Sequence, residues 1–517
     1  MTLARTCSVT LLGVVGHLVE VEADLAQGLP ALTLVGLPDA ALSEARDRIR
    51  AAVVNSGAAW PQRRITLNLS PASLPKAGSG FDLALAVCVL AAAEVVEAAW
   101  VRELVLIGEL GLDGRARPVR GILPAVMAAA AAGRERVVVP AANAAEAALV
   151  PGVRVVGVES LRELIAILRG DVPVPDLPDG PAAGDGAADR AGVAGIPDLA
   201  DVAGQGEARH ALEIAAAGGH HMLLHGPPGT GKTMLAERLP GILPPLDREQ
   251  ALEVTAIHSV AGELGHLPLV TRPPLRAPHH TASAAAVVGG GSGLARPGAA
   301  SLAHHGVLLL DEAPEFALGV LDALRQPLES GEVVLHRSKG EVRYPASFQL
   351  VLAANPCPCG LSTTSAQCRC PPMRQLRYIG RLSGPLLDRV DLTVPVLPPT
   401  RADLMEAGEH EGSAAVADRV RAARERATAR WTGTPWSCNA RVPGPALRGP
   451  GWRLPGRDLA GLHRAFGEGR LTARGVDRVL RLAWTLADLA GKDRPQASEV
   501  RMAVELRTAS ALPGAAA

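Results

Sequence analysis

An α/β protein built around a nucleotide-binding core is what the sequence predicts, and three observations predict it. MLLHGPPGTGKTMLAERL (222–239) sets a glycine-rich turn between a short apolar strand and a helix. GVLLLDEAPEF (306–316) ends a buried apolar run on paired acids. Upstream of both, strand-like and helical runs alternate; downstream, Pro-rich loops separate helical stretches.

At the N-terminus, MTLARTCSVTLLGVVGHLVEVEADL could pass for a short secretory segment. It alternates into VEVEA and has no small-residue cleavage site, so a strand is predicted. ALTLVGL (31–37), ITLNLS (65–70) and LVLIGEL (104–110) read as further strands. The apolar run from Leu83 to Ala93 is a core element, well short of the ~18–20 residues of a membrane span, and a cytoplasmic chain is expected. RGDVPVPDLPDGPAAGDGAADRAG (169–192) has no apolar periodicity and reads as a linker. The expected division is residues 1–168, a linker over 169–196, the core over 197–400 and a helical block over 401–517. Within that block, 475–491 places Val476, Val479, Leu480, Leu482, Ala483, Leu486 and Leu489 on one side of a helix.

Composition narrows the function classes. Of 517 residues, 20% are charged and the formal net charge is zero, so no global basic field announces a nucleic-acid partner; any such contact must be local. Aromatics make up only 2%, which argues against base-stacking platforms. Seven cysteines, four of them in one group, do not form a secreted disulfide framework.

The nucleotide site follows from G-x-x-x-x-G-K-[ST], met by Gly226, Gly231, Lys232 and Thr233. Across Gly226, Pro227, Pro228, Gly229, Thr230 and Gly231 the backbone N–H groups can close on phosphates, helped by the helix N-terminus. Lys232 suits the β/γ-phosphate charge of ATP, and the Thr233 hydroxyl suits Mg²⁺. Asp311, after Val307 to Leu310, would hold the same Mg²⁺, and Glu312 would polarise the attacking water. FQLVLAANP ends a third strand and sets Asn355 beside the phosphates, to orient that water.

Two further stretches carry chemistry. EVVLH and EVRYPA flank RSKG, a hairpin pattern with Arg337 and Lys339 at its tip and Arg343 on the return strand. Such a turn can hold phosphates electrostatically without reading bases. NPCPCGLSTTSAQCRCPP presents Cys357, Cys359, Cys368 and Cys370 as C-x-C, eight residues, C-x-C. Four thiolates can close a structural Zn²⁺ site, whereas a redox pair would favour C-x-x-C. His279 and His280 lack a third ligand at suitable spacing, so metal is not expected there.

These motifs, with DLADVAGQ (198–205), APHHTASAAAVVGGG (277–291), SGPLLDRVDL (383–392) and LTARGVDRVLRLA (471–483), resemble the YifB/ComM family of magnesium-chelatase-like AAA+ ATPases over nearly the whole chain. The resemblance implies a Lon-protease-like (ribosomal S5 domain 2-like) N-terminal domain, an AAA+ P-loop core and a C-terminal helical lid. It also implies a homo-hexameric ring, with Arg389 as a finger in the neighbour's site and Arg474 as a γ-phosphate sensor on the lid. An inserted element around 275–295 and the RSKG hairpin would point into the pore, and the ring would drive branch migration on single-stranded or branched DNA.

In the Lon-like domain, Leu74 to Gly80 resembles a nucleophile loop, but Gly80 stands where the serine should be. In GELGLDGRARPVRGILPAV (108–126), Leu123 stands where the catalytic lysine should be. Ser79 is one position off and Lys76 lies on the same loop, so proteolysis is not expected. Competing readings are a magnesium-chelatase subunit, for which no D-x-S-x-S motif is present, and an ATPase that remodels protein partners without DNA.

Overall fold

The computed structural model describes residues 2–36, 44–76, 78–174, 196–265, 269–291, 295–337, 340–360, 368–401, 403 and 410–508, the side chains of 2, 337 and 340 excepted. Most of the linker stretch and Lys339 at the hairpin tip therefore lie outside the described residues.

The first block is a mixed seven-stranded sheet. Its strands are β1 (Thr2–Leu12), β2 (Val15–Ala26), β3 (Ala31–Val35), β4 (Arg64–Ser70), β5 (Leu104–Leu106), β8 (Arg136–Pro140) and β9 (Arg154–Val158), in the order β3-β4-β2-β1-β5-β8-β9; β6 (Glu109–Leu110) and β7 (Ala116–Arg117) form a separate ribbon. The predicted N-terminal strand is β1 paired antiparallel with β2. Period-two alternation buries Val19, Val21, Ala23 and Leu25 of β2 and Ile65, Leu67 and Leu69 of β4 on one face. Against that face lies the Asp82–Ala92 helix, every residue of which is buried. A helix enclosed all round needs no amphipathic period, which is why its sequence reads as one apolar run.

The second sheet is parallel throughout, in the order β11-β14-β17-β10-β18, from β10 (Met222–His225), β11 (Leu275–Arg276), β14 (Val307–Leu310), β17 (Gln349–Ala354) and β18 (Leu392–Pro395). Two short ribbons accompany it: β12 (Gly289–Gly290) with β13 (Arg296–Pro297), and the predicted hairpin β15 (Glu332–Arg337) with β16 (Gly340–Pro345). β14 and β17 are buried at every residue, as a parallel sheet covered on both faces requires. One covering layer includes the C-terminal helices Ser413–Arg430, Ala473–Leu489 and Ala497–Thr508, so Trp431, Leu482 and Trp484 share a continuous core with Leu224, Leu309 and Val351.

Helix Arg248–Ala261 joins the two blocks. Its Ala256 sits in the apolar cluster of Ile122, Val126 and Val137, and Gly121 N donates to Ser259 O at 3.2 Å.

Candidate functional site

Three neighbouring parallel strands, β14, β17 and β10, deliver three chemical groups to one end of the sheet. From β10 the chain enters the glycine-rich turn at Gly226, where a Cβ would fall 2.1 Å from the Val396 carbonyl oxygen. Gly229 and Gly231 take φ of +73° and +87°, turning the backbone into the Lys232–Ile242 helix. Lys232 is buried, and its Nζ donates to Gly226 O (2.8 Å), Pro227 O (2.7 Å) and Asn355 Oδ1 (3.0 Å). Burial lowers the Lys232 pKa, with Asp311 and Glu312 opposing.

β14 ends on Asp311. Its Oδ2 accepts from Thr233 Oγ1 at 2.7 Å, and its Oδ1 accepts from Glu312 N at 2.8 Å. Asn355 follows β17 directly, next to β10 in the sheet. Lys232, Thr233, Asp311 and Asn355 are thus brought into one hydrogen-bonded group from separate stretches of chain. Glu312 sits at φ +50°, rare for a non-glycine residue, and its half-exposed carboxylate lies 3.2 Å from His280 Nδ1. Nothing in the spacing of His279 and His280 signals this contact, which joins residues 32 apart.

The two arginines sit differently. Arg389 is buried, donating to Pro385 O at 2.5 Å and paired with Glu329 of its own chain. Arg474, second in the Ala473–Leu489 helix, is largely exposed and lies 3.4 Å from Asp388 Oδ2. Asp391, three residues on from Asp388, pairs with Arg478 of the same helix at 2.8 Å and accepts from His221 N at 2.9 Å. Sequence reasoning named the arginines and missed these acids, because a D-x-x-D spacing acquires meaning only once the helix lies across it.

Comparison with known proteins agrees with this layout. The family described as magnesium chelatase, subunit ChlI, matches residues 198–404; its C-terminal part matches 410–507, and subunit ChlI of Mg-chelatase matches 21–143. The chain is 41% identical to the uncharacterized protein YifB of Escherichia coli, over 98% of this chain and 97% of that one. It is 41% identical to competence protein ComM of Haemophilus influenzae, over 96% and 95%. The chain belongs to the YifB/ComM family of magnesium-chelatase-like proteins. A further relative, the uncharacterized protein Rv2897c of Mycobacterium tuberculosis, is 53% identical over 99% of this chain and all of that one.

In this YifB/ComM chain the β15–β16 hairpin is paired from Glu332–Pro345 to Arg337–Gly340. Arg343 is exposed and lies 2.8 Å from Glu332 and 2.6 Å from Glu341, so much of its charge is met within the hairpin. The base of the hairpin touches the first block, where Val14 packs with Val342 and Tyr344. The stretch expected as an insertion around 275–295 contributes a short helix, Ala284–Val288, and β12, which pairs with β13.

The cysteine group is assembled, with Cys357 buried, Cys368 and Cys370 half-buried and Cys359 exposed. Of the residues set against a protease pattern, Lys76 is buried, with its Nζ on Pro71 O, while the Ser79 hydroxyl bonds Glu109 and Leu123 is fully buried.

Proposed function

We propose that this YifB/ComM protein is an AAA+ ATPase whose ring, a homo-hexamer, moves along DNA and promotes branch migration. The observation that carries the ATPase part is the convergence of Lys232, Thr233, Asp311 and Asn355 at one sheet end, with Glu312 beside them. The turn with left-handed Gly229 and Gly231 at a helix N-terminus fits a polyphosphate. Bound Mg²⁺ would be held by Thr233 and Asp311, whose oxygens already meet, and would neutralise phosphate charge.

In this reading Lys232 exchanges its own loop's carbonyls for phosphate oxygens. Glu312 and Asn355 orient the attacking water. Arg474 leaves Asp388 for the γ-phosphate, and Arg389 leaves Glu329 to serve the neighbouring subunit. DNA contact falls to Arg337 and Lys339 at the hairpin tip; Arg343, offset by two carboxylates, contributes less than its position in the sequence suggests. Similarity to competence protein ComM of Haemophilus influenzae is the support for a role in competence.

The test is ATP-dependent migration of a labelled four-way junction by wild type, Lys232→Ala and Lys339→Ala. Migration by wild type and its loss in both variants is expected. ATP hydrolysis with neither migration nor any response to DNA would instead favour work on protein partners. The magnesium-chelatase name of the matched family favours one second reading, insertion of Mg²⁺ into a porphyrin, read by porphyrin absorbance under the same conditions.

A further inference from the structure

We propose that Cys357, Cys359, Cys368 and Cys370 hold one zinc ion, and that this ion is a strut fixing Asn355 and the edge of the phosphate-binding turn. All four sulfurs lie within 4.8 Å of one another. Cys357 Sγ is 3.6 Å from Cys368 Sγ and 3.3 Å from Cys359 Sγ, and Cys359 Sγ is 3.6 Å from Cys368 Sγ. Four sulfurs at ~2.3 Å from a shared tetrahedral ion stand about 3.8 Å apart, so Cys357, Cys359 and Cys368 need only tenths of an ångström to admit one, with Cys370 within reach to close the set. The same separations far exceed the ~2.05 Å of a disulfide.

An outer support is present as well. Gln375, on the Pro372–Ile379 helix, donates from Nε2 to Cys368 Sγ at 3.5 Å and to Cys370 O at 3.3 Å. Such partners orient thiolate ligands and tune them. Cys357 is enclosed while Cys359 reaches the surface, which gives an ion a way in.

Among the described residues, a second compact group of ligand types fails on its hydrogen bonds. Glu253 meets His304 Nε2 at 3.1 Å and His305 Nε2 at 2.9 Å. His304 Nδ1 accepts from Ser347 N at 2.9 Å, so the neutral ring carries its proton on Nε2, where a metal would need a lone pair. That group is a hydrogen-bonded clamp.

The strut role follows from what the cysteine group touches. Cys357 comes two residues after Asn355, whose Oδ1 receives Lys232 Nζ. Gly360, at φ +79°, backs onto Pro228 so closely that a Cβ would lie 3.2 Å from Pro228 Cγ. On the far side, Tyr378 and Ile379 anchor the Gln375 helix in the same core as Leu350 and Leu352 of β17. A tetrathiolate ion would therefore join the end of β17, the turn and this helix at one point.

The strut role rests on the ATPase reading; the metal site does not. Full-length protein purified without chelator should carry about one zinc per chain. Cobalt-loaded wild type should show thiolate-to-cobalt charge transfer with the visible bands of tetrahedral geometry. Lys232→Ala, dead in ATP turnover, should keep both signatures, so failure of the ATPase reading leaves this result standing. Cys357→Ser with Cys370→Ser should lose the metal, whereas Cys438→Ser, outside the group, should retain it. Metal-free protein, released by a mercurial and checked for native circular dichroism, should lose roughly tenfold in kcat for ATP with KM little changed. Absence of stoichiometric metal, iron in place of zinc, or a cobalt spectrum without thiolate bands would overturn the site. Unchanged ATP turnover in folded, metal-free protein would overturn the strut.

Discussion

Two of the four lysines in this chain are buried in loops that resemble catalytic ones, and they end in opposite situations. Lys76 closes onto the carbonyl of Pro71, while its neighbour Ser79 bonds Glu109. Lys232 spreads three donors over two carbonyls of a glycine-rich turn and the side chain of Asn355, with Asp311 and Glu312 nearby. Burial lowers the pKa of both amines. What separates them is the surroundings. One amine is sealed by the fold; the other is held by partners that a phosphate can replace.

The sharpest way to break that comparison is Lys232→Ala. It should cut ATP turnover by on the order of 10²–10³, the usual effect of removing one group that stabilises transition-state charge. Circular dichroism should be unchanged, since the turn keeps its backbone bonds, Gly226 N to Ala354 O at 3.2 Å among them. Retained turnover would mean that the lysine of the turn is as structural as Lys76.

Acid should separate the two blocks next. The chain has 14 histidines, and only His17 precedes the linker. At the start of β10, His221 Nδ1 accepts from Leu350 N at 3.0 Å, and burial pulls its pKa down to about 4, with Asp391 opposing. A depressed folded pKa means that the stability contribution is complete above the unfolded value of ~6.5 and is lost as pH falls toward 4. Thermal unfolding followed by tryptophan fluorescence reports mainly the second block, where Trp431, Trp436, Trp452 and Trp484 cluster. Its midpoint should fall over that window, His221 alone accounting for at most about 3 kcal/mol, with the buried His220, His258 and His304, also depressed by burial, adding to the fall. His221→Asn keeps an acceptor in the same place without titrating, and should make the fall shallower by His221's share.

How much of this was legible beforehand depends on whether the signal was local. The turn of 226–233, the acids after β14 and Asn355 after β17 are runs of a few residues whose chemistry is fixed by neighbours in sequence, and the structure brings them to one sheet end. The hairpin was readable too, as was the cysteine group as a group. The carboxylates that meet Arg343, the Glu329 that holds Arg389, and the Asp388 and Asp391 that bind the Ala473–Leu489 helix were not readable. Glu341 stands only two residues along Arg343's own strand; the others lie across the strand pair or tens of residues away, and such a charge shows its partner only after the chain has folded. Comparison of GELGLDGRARPVRGILPAV with a protease pattern put Leu123 at the lysine's place, and the structure gives that side chain to the core.

The smallest effect belongs to Lys76, and it tests the sealed half of the comparison. Because burial holds its pKa below the ordinary value of 10.5, the folded state carries an unfavourable charge at neutral pH. Lys76→Met removes that charge and keeps an unbranched apolar stem, at the expense of the hydrogen bond to Pro71 O. The two terms oppose each other, so stability should shift by no more than about 1 kcal/mol, with the balance toward stabilisation at neutral pH. ATP turnover should match wild type, because the loop carries nothing to the sheet end where Lys232 sits. A folded Lys76→Met protein that lost ATP turnover would show that the two lysines act on one site, and the contrast between a sealed amine and an exchangeable one would fail.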